Sequence, residues 1–348
     1  MRVAYSTKPC ISQPMKRRNF IYRSAQAGMA ISFLGLSACK ETSKKEAPEE
    51  GVPAKSTIEM GPFFQLSLAQ WSLHRMIREG EMDPYEFAAK AKEWDFSGLE
   101  YVSQLYDKEL KAASFSEEAM QGFVDRCNAE ARKHGMQNLL IMVDGQGDLA
   151  TSGEADRIAA VENHYKWVDA AAAMGCHSIR VNLSGSSDPE EWVPNSVDGL
   201  TRLATYGKEK GINILVENHG GLSSNAGMLA KVMQEVGMDN CGTLPDFGNF
   251  CIRRNDPQEW SSGCAEEYDR YKGVRELMPF AKAVSAKSHD FDAEGNETNT
   301  DYVKMLQIVK DAGYTGFIGV EYEGSELDEV AGIKATRDLM LKAAKQLS

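Results

Sequence analysis

Residues 214–221 read ILVENHGG, an apolar run that ends in Glu217 and breaks at two glycines. Three later stretches share that form: GTLPDFGNF at 242–250, VSAKSHDFD at 284–292 and FIGVEYEG at 317–324. They bring Asp246, then Lys287 and His289, then Glu321 to the end of an apolar run. Each reads as a buried strand whose last residues emerge into a cleft. An ionised carboxylate there costs several kcal/mol to desolvate unless a cation or donor offsets it. Three carboxylates and a histidine on four successive strands ask for a divalent metal.

Working outward, further apolar runs lie at 65–72, 98–103, 138–144 and 178–183, and the four stretches above extend to 212–218, 242–246, 282–289 and 316–322. Segments with helical spacing separate them. Asp83-Pro84 caps and opens one helix, and Ser116 starts another that stops at Gly135. The glycine stop recurs at Gly211, Gly237 and Gly313. Eight strand–helix repeats predict a single (β/α)8 barrel over residues 59–348. A doubly wound sheet is the competing architecture, but no glycine-rich nucleotide loop follows the first strand. In a barrel the chemistry sits at the C-terminal ends of the strands, where these polar residues fall.

Residues 1–39 read as an export signal: Arg17-Arg18 resembles a twin-arginine pair, and Leu36-Ser37-Ala38-Cys39 resembles a lipobox with Cys39 as the acylated residue. The apolar run between them, Ala25 to Ala38, is too short to span a bilayer. Residues 40–58 are rich in Lys, Glu, Ser and Pro and read as a flexible polar tether. The expectation is a periplasmic or outer-membrane-anchored lipoprotein that touches the membrane only through Cys39. Cleavage would remove six basic and no acidic side chains, taking the formal charge from −12 to −18. Such a surface repels nucleic acid and disfavours phosphorylated sugars. Of seven cysteines, Cys127, Cys176, Cys241, Cys251 and Cys264 lie beyond the signal, and no spacing among them is a zinc motif. Cys251 and Cys264 flank one loop and either pair in an oxidising compartment or stay free.

From Leu68-Ala69-Gln70-Trp71-Ser72 to Val320-Glu321-Tyr322-Glu323 the chain resembles the xylose isomerase-like sugar isomerase/epimerase superfamily. There, Glu, Asp, His and Glu on barrel strands five to eight commonly bind one divalent ion. The resemblance implies Glu217, Asp246, His289 and Glu321 as ligands. The seventh barrel strand departs from the family's His-x-Lys-Asp pattern, reading Lys287-Ser288-His289-Asp290. Lys287 and His289 share a strand face. Only the histidine is an ordinary ligand; Lys287 in the inner place would instead donate a proton or face an oxyanion. Glu323 faces the same way as Glu321 and is its substitute.

Further candidates are Glu100, Asp144, Arg180 and Asn182 at the ends of strands two to four, and His219 beside Glu217. Asn249 lies where relatives place a substrate-binding residue, and Trp71 with His74 would floor a sugar site. Arg180 reads equally as a structural ion-pair partner, His219 as a donor behind the ligands and Trp71 as core. His134, His164 and His177 are given no role.

A carboxylate-and-imidazole set suits Mn2+, Mg2+, Co2+ or Zn2+. Twin-arginine export carries folded protein loaded with its ion, which makes Mn2+ the first choice. The resemblance implies a metal-dependent isomerase or epimerase acting on a small unphosphorylated carbohydrate. Glu217 and Glu321 would move the proton next to a carbonyl, and Lys287, Arg180 or His219 would hold oxyanion and hydroxyls. The same first step on a 3-keto-glycoside ends in β-elimination, so a lyase is the alternative. A non-catalytic sugar-binding lipoprotein is the second. No oligomeric state is implied.

Overall fold

The computed structural model describes residues 61–348 apart from 257, 258, 260 and 261. The expected export signal, lipobox and tether lie outside the described residues. Residues 58–348 form one compact unit.

Eight parallel strands make the barrel wall. They are β1 (Gln65–Ala69), β2 (Gly98–Val102), β3 (Gln137–Val143), β4 (Ser178–Val181), β5 (Asn213–Glu217), β6 (Cys241–Leu244), β9 (Val284–Ser288) and β10 (Phe317–Tyr322). Their hydrogen-bonded order is β6-β5-β4-β3-β2-β1-β10-β9. All eight coincide with the apolar runs predicted from sequence. Between β6 and β9 lies a feature that sequence reading missed, an antiparallel hairpin of β7 (Cys251–Arg254) and β8 (Cys264–Glu267). The disulfide Cys251–Cys264 ties its two strands.

The ring closes between β6 and β9 with little pairing. Among the described residues, the only backbone bridges that join the two sides are Thr243 to Ala281 and Asp246 to Ser285, through Lys282 N to Thr243 O, Ser285 N to Pro245 O and Phe247 N to Ser285 O. Pro245 explains the interruption, since it has a carbonyl to offer but no N–H.

The long helices cover the outside: α4 (Glu117–His134), α5 (Glu154–Met174), α6 (Pro189–Lys210), α7 (Ala226–Val236), α9 (Tyr302–Asp311) and α10 (Glu329–Gln346), with shorter α1 (His74–Glu79), α2 (Phe87–Glu93), α3 (Asp107–Ala112) and α8 (Arg270–Leu277). The cap signals are used as read: Asp83 accepts from Tyr85 N and Ser116 from Ala119 N. Gly135 ends α4 in the left-handed region, φ 64°, where a side chain would be strained.

Outward-facing strand residues such as Val216, Ile318, Val320 and Tyr322 pack into the helix layer with no exposure. The barrel interior is polar by contrast. Glu100 on β2 accepts a 2.6 Å hydrogen bond from Ser67 on β1, and a Cβ on Gly319 of β10 would stand 2.5 Å from its carboxylate. Gly319 therefore clears the space that Glu100 fills. Above this floor the strands deliver the site.

Candidate metal centre and active site

Glu217 at the end of β5, Asp246 just past β6 and Glu321 on β10 each present a carboxylate oxygen, and these atoms lie within 4.8 Å of one another. All three are at most 2 % exposed. Each is held by its neighbours. Asp246 Oδ1 accepts from Gly248 N (2.8 Å) and Asn249 N (2.7 Å), which turns the DFGN loop back over its own side chain. Asn218 fastens that loop to β5 by accepting from Asp246 N and donating to the carbonyls of Asp246 and Asn249. Asn249 Nδ2 donates to Glu217 Oε1 at 3.2 Å. Asn249, expected to contact substrate, is thus placed as a brace for two of the carboxylates.

Ser285 Oγ lies 2.8 Å from Asp246 Oδ2 and 3.0 Å from Glu321 Oε2. A hydroxyl has one proton and satisfies one of two ionised acceptors, leaving the other to a cation or a proton. Glu217 Oε2 is also incompletely served. It lies 2.8 Å from Arg180 Nε, an ion contact in which the N–H is out of line, and neither atom has a hydrogen-bond partner among the described residues. Burial pushes the pKa values of Glu217 and Asp246 up, against the pull of Arg180 on the first and of Lys287 on the second.

Arg180 on β4 also donates to Asp144 Oδ1 (2.9 Å) and Asn182 Oδ1 (3.1 Å). Burial works against the ionised Asp144, but the Arg180 guanidinium prevails and holds that carboxyl down at about 2. Five carboxylates, from Asp144, Glu217, Asp246, Glu321 and Glu323, thus face two side-chain cations, Arg180 and Lys287. A divalent ion fits that surplus, the unaligned Glu217 oxygen and the shared hydroxyl, and Glu217, Asp246 and Glu321 are the residues that would hold it.

The seventh barrel strand places its two candidates differently. Lys287 is 2 % exposed and reaches into the carboxylates, with Nζ 2.9 Å from Glu321 Oε1 and 3.0 Å from Glu323 Oε1. His289 is half-buried on the cavity wall and is not among the residues grouped with the triad. Of the two alternatives, Lys287 is the residue that reaches the carboxylates, and His289 stands on the cavity wall beside Glu321 and Glu323. The reason is packing: the DFGN loop lies against this strand, and Gly248 there leaves room for the lysine stem.

Over the triad opens a cavity of about 570 Å³ lined by Trp71, His74, Arg75, Gln104, Asp144, Arg180, His219, His289, Glu321 and Glu323. Trp71 is on the wall, with its ring stacked on His74 at 4.5 Å and the Arg78 guanidinium 4.7 Å over it. His219 lines the same wall, and burial together with Arg180 and Lys287 holds its imidazole neutral, down at about 4. Glu100 lies beneath the cavity rather than on its wall, at 1 % exposure. Sequence reading missed Ser285, Asn218 and Gln104, since serines and amides in apolar runs carry no signal of their own. A second hollow of about 890 Å³, lined by Tyr85, Tyr106 and Arg126 among others, shares only Gln104 with this wall and none of the triad.

A closed parallel barrel with a carboxylate triad at the C-terminal mouth defines a metal-competent TIM barrel. The chain belongs to the xylose isomerase-like TIM barrel family, whose pattern matches residues 88–343. A search of curated proteins by sequence finds no significant match. Solved structures share the fold at low identity. An L-ribulose 3-epimerase superposes with a TM-score of 0.58 at 14 % identity, covering 82 % of this chain and 96 % of that one. The IOLI protein, solved with a zinc atom, gives 0.57 at 13 %, covering 81 % and 99 %. The 3-keto-D-glucoside 4-epimerase from E. coli gives 0.55 at 14 %, covering 74 % and 94 %.

Proposed function

We propose that this protein is a divalent-metal-dependent isomerase or epimerase of an unphosphorylated carbohydrate, working by proton transfer next to a carbonyl. The observation that carries the reading is the buried triad Glu217, Asp246 and Glu321 under an open cavity. When bound, a divalent ion would supply the positive charge that polarises the carbonyl and acidifies the neighbouring C–H. Glu217 and Glu321 come from strands on different sides of the barrel, so one can take the proton and the other return it. Arg180 fixes Glu217, Asn249 and Ser285 orient the triad, and neutral His219 faces the substrate's hydroxyls. Trp71 and Gln104 bound the space in which the sugar lies. The carboxylate excess around the cavity is unsuited to a phosphate group. Export as a lipid-anchored protein through Arg17-Arg18 and Cys39 belongs to the same reading and agrees with an unphosphorylated substrate.

β-Elimination from a 3-keto-glycoside is a second outcome of the same proton abstraction, and the fold shared with a 3-keto-D-glucoside 4-epimerase puts that substrate class in the assay. The test is NMR in D2O with Mn2+-supplemented protein, free ketoses and aldoses, and 3-keto-glucosides. Deuterium entering next to the carbonyl, lost at least about 100-fold in Glu217→Gln and Glu321→Gln, is the expected result. Product identity distinguishes isomerase from lyase. Sugar binding with no exchange in any substrate would leave a binding protein and refute the enzyme reading.

A further inference from the structure

Lys287 occupies the inner place on its strand by construction. Its Nζ sits 2.9 Å from Glu321 Oε1, 3.0 Å from Glu323 Oε1 and 4.0 Å from Asp246 Oδ2, with the side chain 1 % exposed. Its stem runs over Gly248, where a Cβ would stand 2.8 Å from Lys287 Cγ. Gly248 has no positive φ, so its lack of a side chain serves space rather than backbone conformation. Tyr302 Oη donates to the Lys287 carbonyl at 2.8 Å and fixes the strand from outside. On the triad's other side the unaligned Glu217 Oε2 remains available.

We infer that the triad is an imidazole-free cation site, in which the Lys287 ammonium stands beside the ion without ligating it and the all-oxygen ligand set favours Mg2+ and Mn2+ over Zn2+. The inference rests on the triad being the metal site of the proposed reaction. Three carboxylates, completed by water or substrate oxygens, suit magnesium and manganese, whereas zinc gains most from imidazole or thiolate ligands. The ammonium contributes no ligand, because all its valences are N–H donors. Its charge also repels a dication a few ångströms away, which weakens every divalent ion. The two carboxylates it pairs with and the three that remain keep the net local charge negative. Selectivity here therefore comes from the missing ligand and weak affinity from the extra charge.

The test is direct titration of Mg2+, Mn2+ and Zn2+ into chelator-treated protein at neutral pH, by calorimetry or indicator competition. The proteins are wild type, Lys287→His, Lys287→Gln and His289→Ala. Lys287→His should tighten Zn2+ at least about tenfold more than it tightens Mg2+, since changing even an outer partner of a ligand moves affinity about 10–100-fold. Lys287→Gln removes the charge without adding a strong ligand and should tighten Mg2+ and Zn2+ alike. His289→Ala should leave all three affinities within about twofold, below the range of a lost ligand partner. A tenfold loss of Zn2+ in His289→Ala, or equal tightening of Zn2+ and Mg2+ in Lys287→His, would overturn the inference. The Lys287→Gln and His289→Ala arms decide it even where Lys287→His fails to fold. Zinc selectivity held by His289 together with turnover would sink this inference alone, and the expected selectivity without turnover would sink the proposed reaction alone.

Discussion

Replacing Glu100 by Gln should make the protein more stable in alkaline buffer and remove a large part of its pH dependence. Glu100 lies at 1 % exposure under the triad; Ser67 serves one oxygen and the other has no hydrogen-bond partner. Burial drives its pKa from the ordinary 4.5 to about 8; the Ser67 hydrogen bond opposes the rise, and the charges of Glu321 and Glu217 add to it. The native state therefore holds a proton that the unfolded chain has released. This contribution to stability is fully present below about pH 4.5 and is lost as pH rises through about 8, at up to about 1.4 kcal/mol per pH unit. The whole span amounts to roughly 4–5 kcal/mol, a large share of the ~5–15 kcal/mol that holds a typical domain together. Gln keeps the neutral shape and cannot lose the proton. Urea denaturation of wild type and Glu100→Gln at half-unit steps from pH 5 to 9, in chelator-treated buffer, gives the difference curve. It should start near zero and rise by several kcal/mol in favour of Gln. A difference that stays flat across the range would refute the assignment of a buried, protonated Glu100.

At the other end of the scale, Asp144 is held at about 2, because Arg180 outweighs its burial. Its contribution is present above the ordinary carboxylate value and is lost as pH falls through about 2, so Asp144→Asn should flatten acid denaturation between pH 4 and 2. Gly248→Ala puts a methyl 2.8 Å from Lys287 Cγ. It should cost about 1–3 kcal/mol by overpacking, read as a denaturation midpoint, and cut turnover more than the midpoint shift explains. Mild reduction followed by iodoacetamide should label Cys251 and Cys264 in the hairpin and spare Cys127 and Cys176, which are buried and whose thiol pKa values burial pushes up. Mass spectrometry of the labelled peptides checks this.

The barrel was legible because each strand is a largely apolar segment bounded by helix signals, as a strand covered on its outer face must be. The hairpin was not, because CIRR and CAEE are four-residue segments rich in charge, the first mostly half-buried and the second exposed, with no apolar run to mark them. Glu217, Asp246 and Glu321 were legible for the same reason the strands were: a carboxylate at the end of an apolar run stands out. The choice between Lys287 and His289 was not, since residues two apart share a face and the pattern has period two. What separates them is depth, set by a glycine on a different strand's loop. Glu100 was found as a polar residue on a strand, but its position beneath the cavity depends on Gly319 two strands away in the wall, which no local pattern reveals.

The thinly paired junction between β6 and β9 has a mechanical consequence. Asp246 stands on one lip of it and Ser285 and Lys287 on the other, so the side chains that crowd the triad also button the ring shut. A cation drawing Asp246 and Glu321 together would act as a clasp across the wall's weakest joint. Occupancy would then register in the wall itself, as slowed hydrogen exchange of the Phe247, Lys282 and Ser285 amides that bond across the joint. The disulfide-tied hairpin grows from the same joint, where added chain interrupts no continuous ladder, and a lineage elaborating this barrel would find its cheapest place to insert new structure there.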